Sequence, residues 1–286
     1  MSTLTNTKTP NPTYNPSALK SRYEIRKLEH EHLAWASALL VHSNAFHSTI
    51  WPKIYPENVS GRMFEMFAGV DYLVLHQINS GISFGVFDTE YQFKTEEAKK
   101  QGGKLLWDSK EPSIEQEQGL KAEGDRLLAQ MDFPLVSVAL SYDGFNPLDM
   151  DKMGSLLALL PHFGLVYHIL GSQDPRDPAS WQPTGPRQVL MRNATSTRHD
   201  YEGEGIMSGL ARWLMREAAG KGYRGIQIEC LADAVTHVWS TAEAPFKGSV
   251  VTEFECETWK DEEGKVAFAP AKQRVTKCYV DLQPKV

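Results

Sequence analysis

Residues 189–231 constrain the fold of this 286-residue chain more than any other stretch. Residues 189–197 have strand character, and the chain then turns through Gly203 and Gly205. From there Ile206, Leu210, Leu214 and Ala218 recur at i, i+4 with Trp213 beside them, which is one face of a long helix. Arg216 and Lys221 stand toward its C-terminal end, where cations suit the helix dipole, and Gly220 and Gly222 offer left-handed stops. A second strand, 225–231, follows. The glycine turn therefore lies at a helix N-terminus, where backbone N–H groups lack intrahelical partners and favour an anion. Glycines at 203 and 205 remove the Cβ atoms that would meet an approaching phosphate. A tight turn with nothing bound uses the same two glycines, so the pair alone leaves both readings open.

The rest of the chain supplies strands and helices around this unit. A strand is expected at 23–28, a helix at 31–46 and a second helix at 58–68 that continues through 70–78. Residues 82–91 and 135–142 have the β-branched and aromatic content of strands. Between them, residues 94–133 are polar and charged and read as a surface insertion holding one helix near 113–130. A helix at 149–160, a short strand at 164–171 and a Pro- and Asp-rich loop at 172–187, read as a lid or substrate loop, lead into the central unit. A short helix at 232–241 and two antiparallel strands, 250–259 and 274–282, close the chain. Residues 1–21, rich in Thr, Asn and Pro, read as a disordered or loosely docked tail, with a single domain over 22–286.

Composition excludes several function classes. The net charge is −6 with no long Lys/Arg run, which argues against a nucleic-acid-binding surface. No apolar run reaches the length of a membrane span, and no secretory signal is expected. Cys230, Cys256 and Cys278 are an odd, widely spaced set, which fits buried thiols in a reducing compartment better than a disulfide framework or a zinc site. The expected location is the cytoplasm, with nuclear access open, and no metal is expected.

The run His199-Asp200-Tyr201-Glu202-Gly203-Glu204-Gly205-Ile206-Met207-Ser208, preceded by a strand and opening a long helix, resembles the signature of the GNAT N-acetyltransferase superfamily. Tyr201, Gly203, Gly205, Ile206 and Ser208 agree by position; Glu202 stands where Gln or Arg is usual and Met207 where a small residue is usual. The resemblance implies an α+β (mixed α/β) fold. Its central sheet is mostly antiparallel, with one parallel pair splayed for coenzyme A and helices on both faces. It implies acetyl-CoA as cosubstrate and an unknown amine acceptor, a small molecule or a protein. The backbone of Thr195 and Thr197 would meet the pantetheine arm, and the turn Gly203, Glu204, Gly205, Ile206, Met207 and Ser208 would hold the diphosphate. Arg198 and Arg212 are possible phosphate partners.

Acetyl transfer to an amine needs a base for the ammonium, donors for the oxyanion and a proton for the departing thiolate. Glu229, a carboxylate within an apolar strand, is the first candidate base, with His237 and His168 behind it. Tyr142 and Asp143 are candidate substrate contacts. The position where the family often carries a tyrosine acid is matched by Trp239, whose indole cannot supply a proton at useful pKa. Three readings follow. One is an N-acetyltransferase working by direct transfer; the second is a weak or inactive acyl-CoA-binding or regulatory protein. The third, a nucleotide or S-adenosylmethionine enzyme on a doubly wound sheet, needs further βα units that the chain lacks.

Overall fold

A computed structural model describes residues 17–284. Strand β1 (Tyr23–Lys27) leads into α1 (Leu33–His42), which runs on as a π turn over Ser43–His47. Three helices follow: α2 (Trp51–Ile54), α3 (Val59–Gly69) and α4 (Asp71–Asn79). After β2 (Phe84–Asp88) come α5 (Glu96–Gln101), β3 (Lys104–Leu105), α6 (Glu115–Gln118), α7 (Leu120–Ala129) and β4 (Met131–Asp132). Then come β5 (Leu135–Asp143), α8 (Gly154–Leu159), α9 (Pro161–Ser172) and α10 (Pro178–Trp181). The central unit is β6 (Val189–Thr197), α11 (Ile206–Gly220) and β7 (Gly225–Cys230), followed by α12 (Asp233–Ser240), β8 (Lys247–Glu255) and β9 (Arg274–Asp281).

Among the described residues, seven strands form one sheet in the order β1-β2-β5-β6-β7-β9-β8, and only the β6–β7 pair is parallel. The expected mixed, mostly antiparallel sheet is therefore present, and the doubly wound alternative fails because it needs a run of parallel neighbours. Helices α1, α3, α4 and α8 bury one face of the sheet, while α11 and α12 bury the other through Leu210, Trp213, Leu214 and Trp239. The i, i+4 face read from sequence is the buried face of α11, where Leu214 is fully enclosed.

Two expectations are corrected. Residues 164–171 are helical, not a strand: Pro161 occupies the first turn of α9, where its fixed φ and missing N–H suit a helix start. The 94–133 stretch is not confined to the surface. It contributes Leu127, Leu128, Met131 and Phe133 to the core, and β3 pairs with β4. Within the 1–21 tail, residues 1–16 lie outside the described residues, but residues 17–21 are docked. The Leu19 side chain lies so close over Gly209 that a Cβ there would meet it at 2.4 Å.

Candidate active site

The parallel pair comes apart where a site is expected. Register runs from Val189↔Gly225 to Arg192↔Ile228 and stops, while β6 continues to Thr197 and β7 to Cys230. The cause lies on the other edge of β6. Leu140 faces Ala194 and Ser141 faces Arg192, so Asn193 is an extra residue in the ladder. Such a bulge bends its strand and adds twist, which carries β6 away from β7. Buried Arg192 holds the bulge: its guanidinium donates to the Leu140 and Ala194 carbonyls and to the Thr195 hydroxyl. With no carboxylate on it, burial pulls that guanidinium down to about 9.

A cavity of about 620 Å³ occupies the gap. Thr195, Thr197, Gly203, Gly205, Ile206, Met207, Ser208 and Glu229 all line it. Gly203 and Gly205 have φ of +79° and +75°, left-handed values that explain both glycines on backbone grounds. A Cβ on Gly203 would meet nothing within 4 Å, so the corner is open rather than plugged. No side chain caps α11, which leaves the N–H groups of its first turn facing this opening.

The two acidic side chains of the turn are both accounted for. Glu204 does not line the cavity; its carboxylate accepts from Lys20 Nζ at 2.7 Å and Tyr23 Oη at 2.8 Å, on the β1 side. Glu202 lies on the cavity rim and its Oε2 is 3.1 Å from His199 Nδ1. His199 in turn stacks on His47 with centroids 3.9 Å apart. Neither arginine considered for phosphate is uncommitted. Arg198 is buried and donates to the Met131 and Phe133 carbonyls and to Asp200, and Arg212 pairs with Glu243 at 3.1 Å.

Glu229 sits on the cavity wall, nearly buried, with its Oε1 accepting from Gln227 Nε2 at 3.2 Å. Gln227 Oε1 accepts from Arg176 at 2.8 Å, and Arg176 forms a bidentate pair with Asp174. Lys277 faces Glu229 across the β7–β9 ladder but donates to Asp174 at 3.2 Å. Burial raises the Glu229 carboxyl above its ordinary range, against the pull of Lys277. Burial also works to raise Asp174, but hydrogen bonds from Arg176 and Lys277 hold it at about 2. The two carboxyls thus have opposite characters: Asp174 stays an anion and anchors the network, while burial makes Glu229 a stronger base than an ordinary carboxylate.

Other candidates lie elsewhere. His237 and His168 are exposed and line no part of the cavity. Tyr142 and Asp143 are also off it; Asp143 accepts from the Arg187 backbone at 2.7 Å. Trp239 is buried in the core behind α12, and its Nε1 finds no acceptor among the described residues. Among the described residues, nothing from 94–133 or 172–187 forms the remaining walls of the cavity. Those walls come instead from the helices on the α1 face, including Leu40, Trp51, Met66, Leu73, Leu160 and Phe163, with Tyr167 and Asn193 beside Glu229's end of the gap. Sequence reading missed Tyr167 because α9 was taken as a strand; Pro161 was the available signal. His47, on the π turn, was missed because a π turn has no sequence period of its own. Among the described residues, no group of three or more His, Cys, Asp or Glu could hold a metal ion.

No protein-family model and no curated protein matches the chain in sequence. Solved structures do match in fold. The C-terminal condensation domain of Ebony in complex with beta-alanyl-dopamine superposes with a TM-score of 0.57 at 16% identity, over 91% of this chain and 98% of that one. Arylalkylamine N-acetyltransferase 2 from Aedes aegypti gives 0.56 at 11% identity, over 92% and 100%. An agmatine N-acetyltransferase variant in the apo form gives 0.51 at 10%, over 91% and 99%. With the splayed β6–β7 pair and the glycine turn at the start of α11, the chain has the fold of these structures, the GNAT fold.

Proposed function

We propose that the protein transfers an acetyl group from acetyl-CoA directly to a primary amine whose body is apolar. One observation carries this reading: the cavity in the β6–β7 gap runs unbroken from the uncapped amides of α11 to the Glu229 carboxylate. In that arrangement the diphosphate sits on the amides of Ile206, Met207 and Ser208, and the pantetheine arm lies along Thr195 and Thr197. Glu229 takes a proton from the ammonium, the neutral nitrogen attacks the thioester carbon, and the C–S bond breaks as the tetrahedral oxyanion collapses. Most of the rate enhancement comes from holding amine and thioester in line, since effective molarities of roughly 10⁵ M or more are attainable.

The acceptor class follows from the wall chemistry. Among the described residues, the only carboxylates on the cavity are Glu202, at the turn end, and Glu229. A polyamine needs a second anion at the far end, where Leu73, Met66 and Leu160 offer none. A monoamine with an apolar or aromatic body fits. The test is a panel of amines assayed for thiol release from acetyl-CoA. 2-Phenylethylamine should be turned over well and agmatine or spermidine poorly; the reverse order would contradict the acceptor assignment.

Buried Trp239 at the position of the usual tyrosine acid favours a second reading, a protein that binds acyl-CoA without turnover. Under it, acetyl-CoA stabilises the protein but no amine releases thiol.

A further inference from the structure

Resting on the transferase reading, we propose that Tyr167, from α9, is the proton donor to the departing thiolate, in place of the acid that Trp239 cannot supply. Among the described residues, two tyrosines line the cavity, Tyr167 and Tyr201. The Tyr201 proton is committed, donated to Asp88 Oδ2 at 2.8 Å. Tyr167 is held the other way round. Gln77 Nε2 donates to the Leu73 carbonyl at 3.1 Å and to Asn193 Oδ1 at 3.3 Å, which fixes the Asn193 amide with its nitrogen toward Tyr167. That Nδ2 donates to Tyr167 Oη at 3.0 Å. The phenol oxygen is thus already an acceptor, and its own hydrogen has no acceptor among the described residues. It remains available to the cavity that Tyr167 lines.

The placement is tied to the reacting centre by the backbone. Asn193 is the bulged residue, next to the last β6 residue that pairs with β7, so the hydroxyl is anchored where the strands part. That is the point a thioester lying between them must pass. The remaining hydroxyls on the wall are aliphatic, too weak as acids for this step; that of Ser208 is also donated to the Gly205 carbonyl at 3.0 Å.

Burial and the nearby Glu229 charge keep the phenol protonated well above its ordinary range. The same poorly hydrated surroundings penalise a thiolate, so donor and acceptor shift together. The protons balance. The amine enters as an ammonium and gives one proton to Glu229, which passes it to solvent. The C–N bond forms, the C–S bond breaks, and the sulfur takes the Tyr167 proton. The phenolate recovers its proton from the acidic N–H of the newly acylated nitrogen. The products are the amide and coenzyme A thiol, with no oxidant or reductant involved.

The test compares wild type and Tyr167→Phe with 2-phenylethylamine as acceptor and two acyl donors. With acetyl-CoA, the variant should lose roughly 100-fold in kcat, the usual order for general acid catalysis. Its KM for the amine and its affinity for acetyl-CoA should be unchanged. With S-phenyl thioacetate, whose thiol is acidic enough to leave as the thiolate, the two proteins should react at equal rates. Unchanged kcat with acetyl-CoA, or an equal loss with both donors, overturns the assignment; so does a raised amine KM at constant kcat, which makes Tyr167 an acceptor contact only. A wild-type protein that binds acetyl-CoA but releases no thiol with any amine overturns the transferase reading, and this role with it.

Discussion

The Tyr23 hydroxyl donates to the Glu204 carboxylate at 2.8 Å, and this contact explains how a glycine turn carrying an acid can still face an anion. With Lys20 on the same oxygen, the charge is drawn to the β1 side, and the Lys20 hydrogen bond holds the carboxyl below its ordinary range. Replacing both donors, Lys20→Met with Tyr23→Phe, should release the carboxylate toward the opening and weaken acetyl-CoA binding a few-fold. Adding Glu204→Gln should restore it. Calorimetric titration of the three proteins checks this; equal affinities throughout would show that Glu204 has no bearing on the site.

Gly205→Asp should abolish acetyl-CoA binding while the protein still folds. The change places a side chain and a negative charge before the α11 amides, at a residue with φ of +75°. The backbone strain alone costs on the order of 1–2 kcal/mol, which a chain this size tolerates. Circular dichroism and a titration separate the two effects. Retained affinity would remove the turn from the site.

Glu229→Gln should lower kcat by roughly 10²- to 10⁴-fold with little change in acetyl-CoA affinity. The pH profile is the sharper readout. The base works when ionised, so kcat/KM falls as pH drops through its raised pKa, above the ordinary glutamate value of about 4.3. That acid limb should vanish in the variant. A limb that persists unchanged belongs to another group.

His42 links stability to pH. Burial depresses its imidazole from the ordinary 6.5 to about 4, while its Nε2–H donates to the Gly124 carbonyl at 2.9 Å. The unfolded chain binds this proton more readily than the folded one, so the contribution is complete above pH 6.5 and is lost as pH falls through about 4. The slope from this group is at most about 1.4 kcal/mol per pH unit. His42→Gln keeps a donor for Gly124 and removes the titration, so its melting temperature should fall less between pH 6.5 and 4.5 than wild type. Parallel declines would assign the acid sensitivity to other groups.

The central unit was legible in the sequence because its signals are local: the α11 face has a helical period, and the glycines mark left-handed turn positions. Most of the cavity wall on the turn side followed from that run. The acceptor side did not, because its walls come from α9 and from helices more than a hundred residues upstream, whose convergence depends on sheet order. The β9 strand, inserted between β7 and β8, places Lys277 opposite Glu229, a neighbour no spacing in the chain announces. The bulge at Asn193 is likewise a mismatch between two strands, invisible in either one alone. Residues 164–171 are ambiguous in sequence because an apolar run of that length suits a buried strand or a buried helix equally, and the local signal for a helix is Pro161 at its start.

Thermal melting with and without acetyl-CoA tests most directly whether the α11 amides seat a diphosphate with the thioester arm beside β6. At about 100 times its dissociation constant, acetyl-CoA should add roughly 2.7 kcal/mol of stability, a shift of several degrees, while S-adenosylmethionine and ATP leave the transition in place. A transition that does not move with acetyl-CoA, or that moves equally with all three, would contradict it.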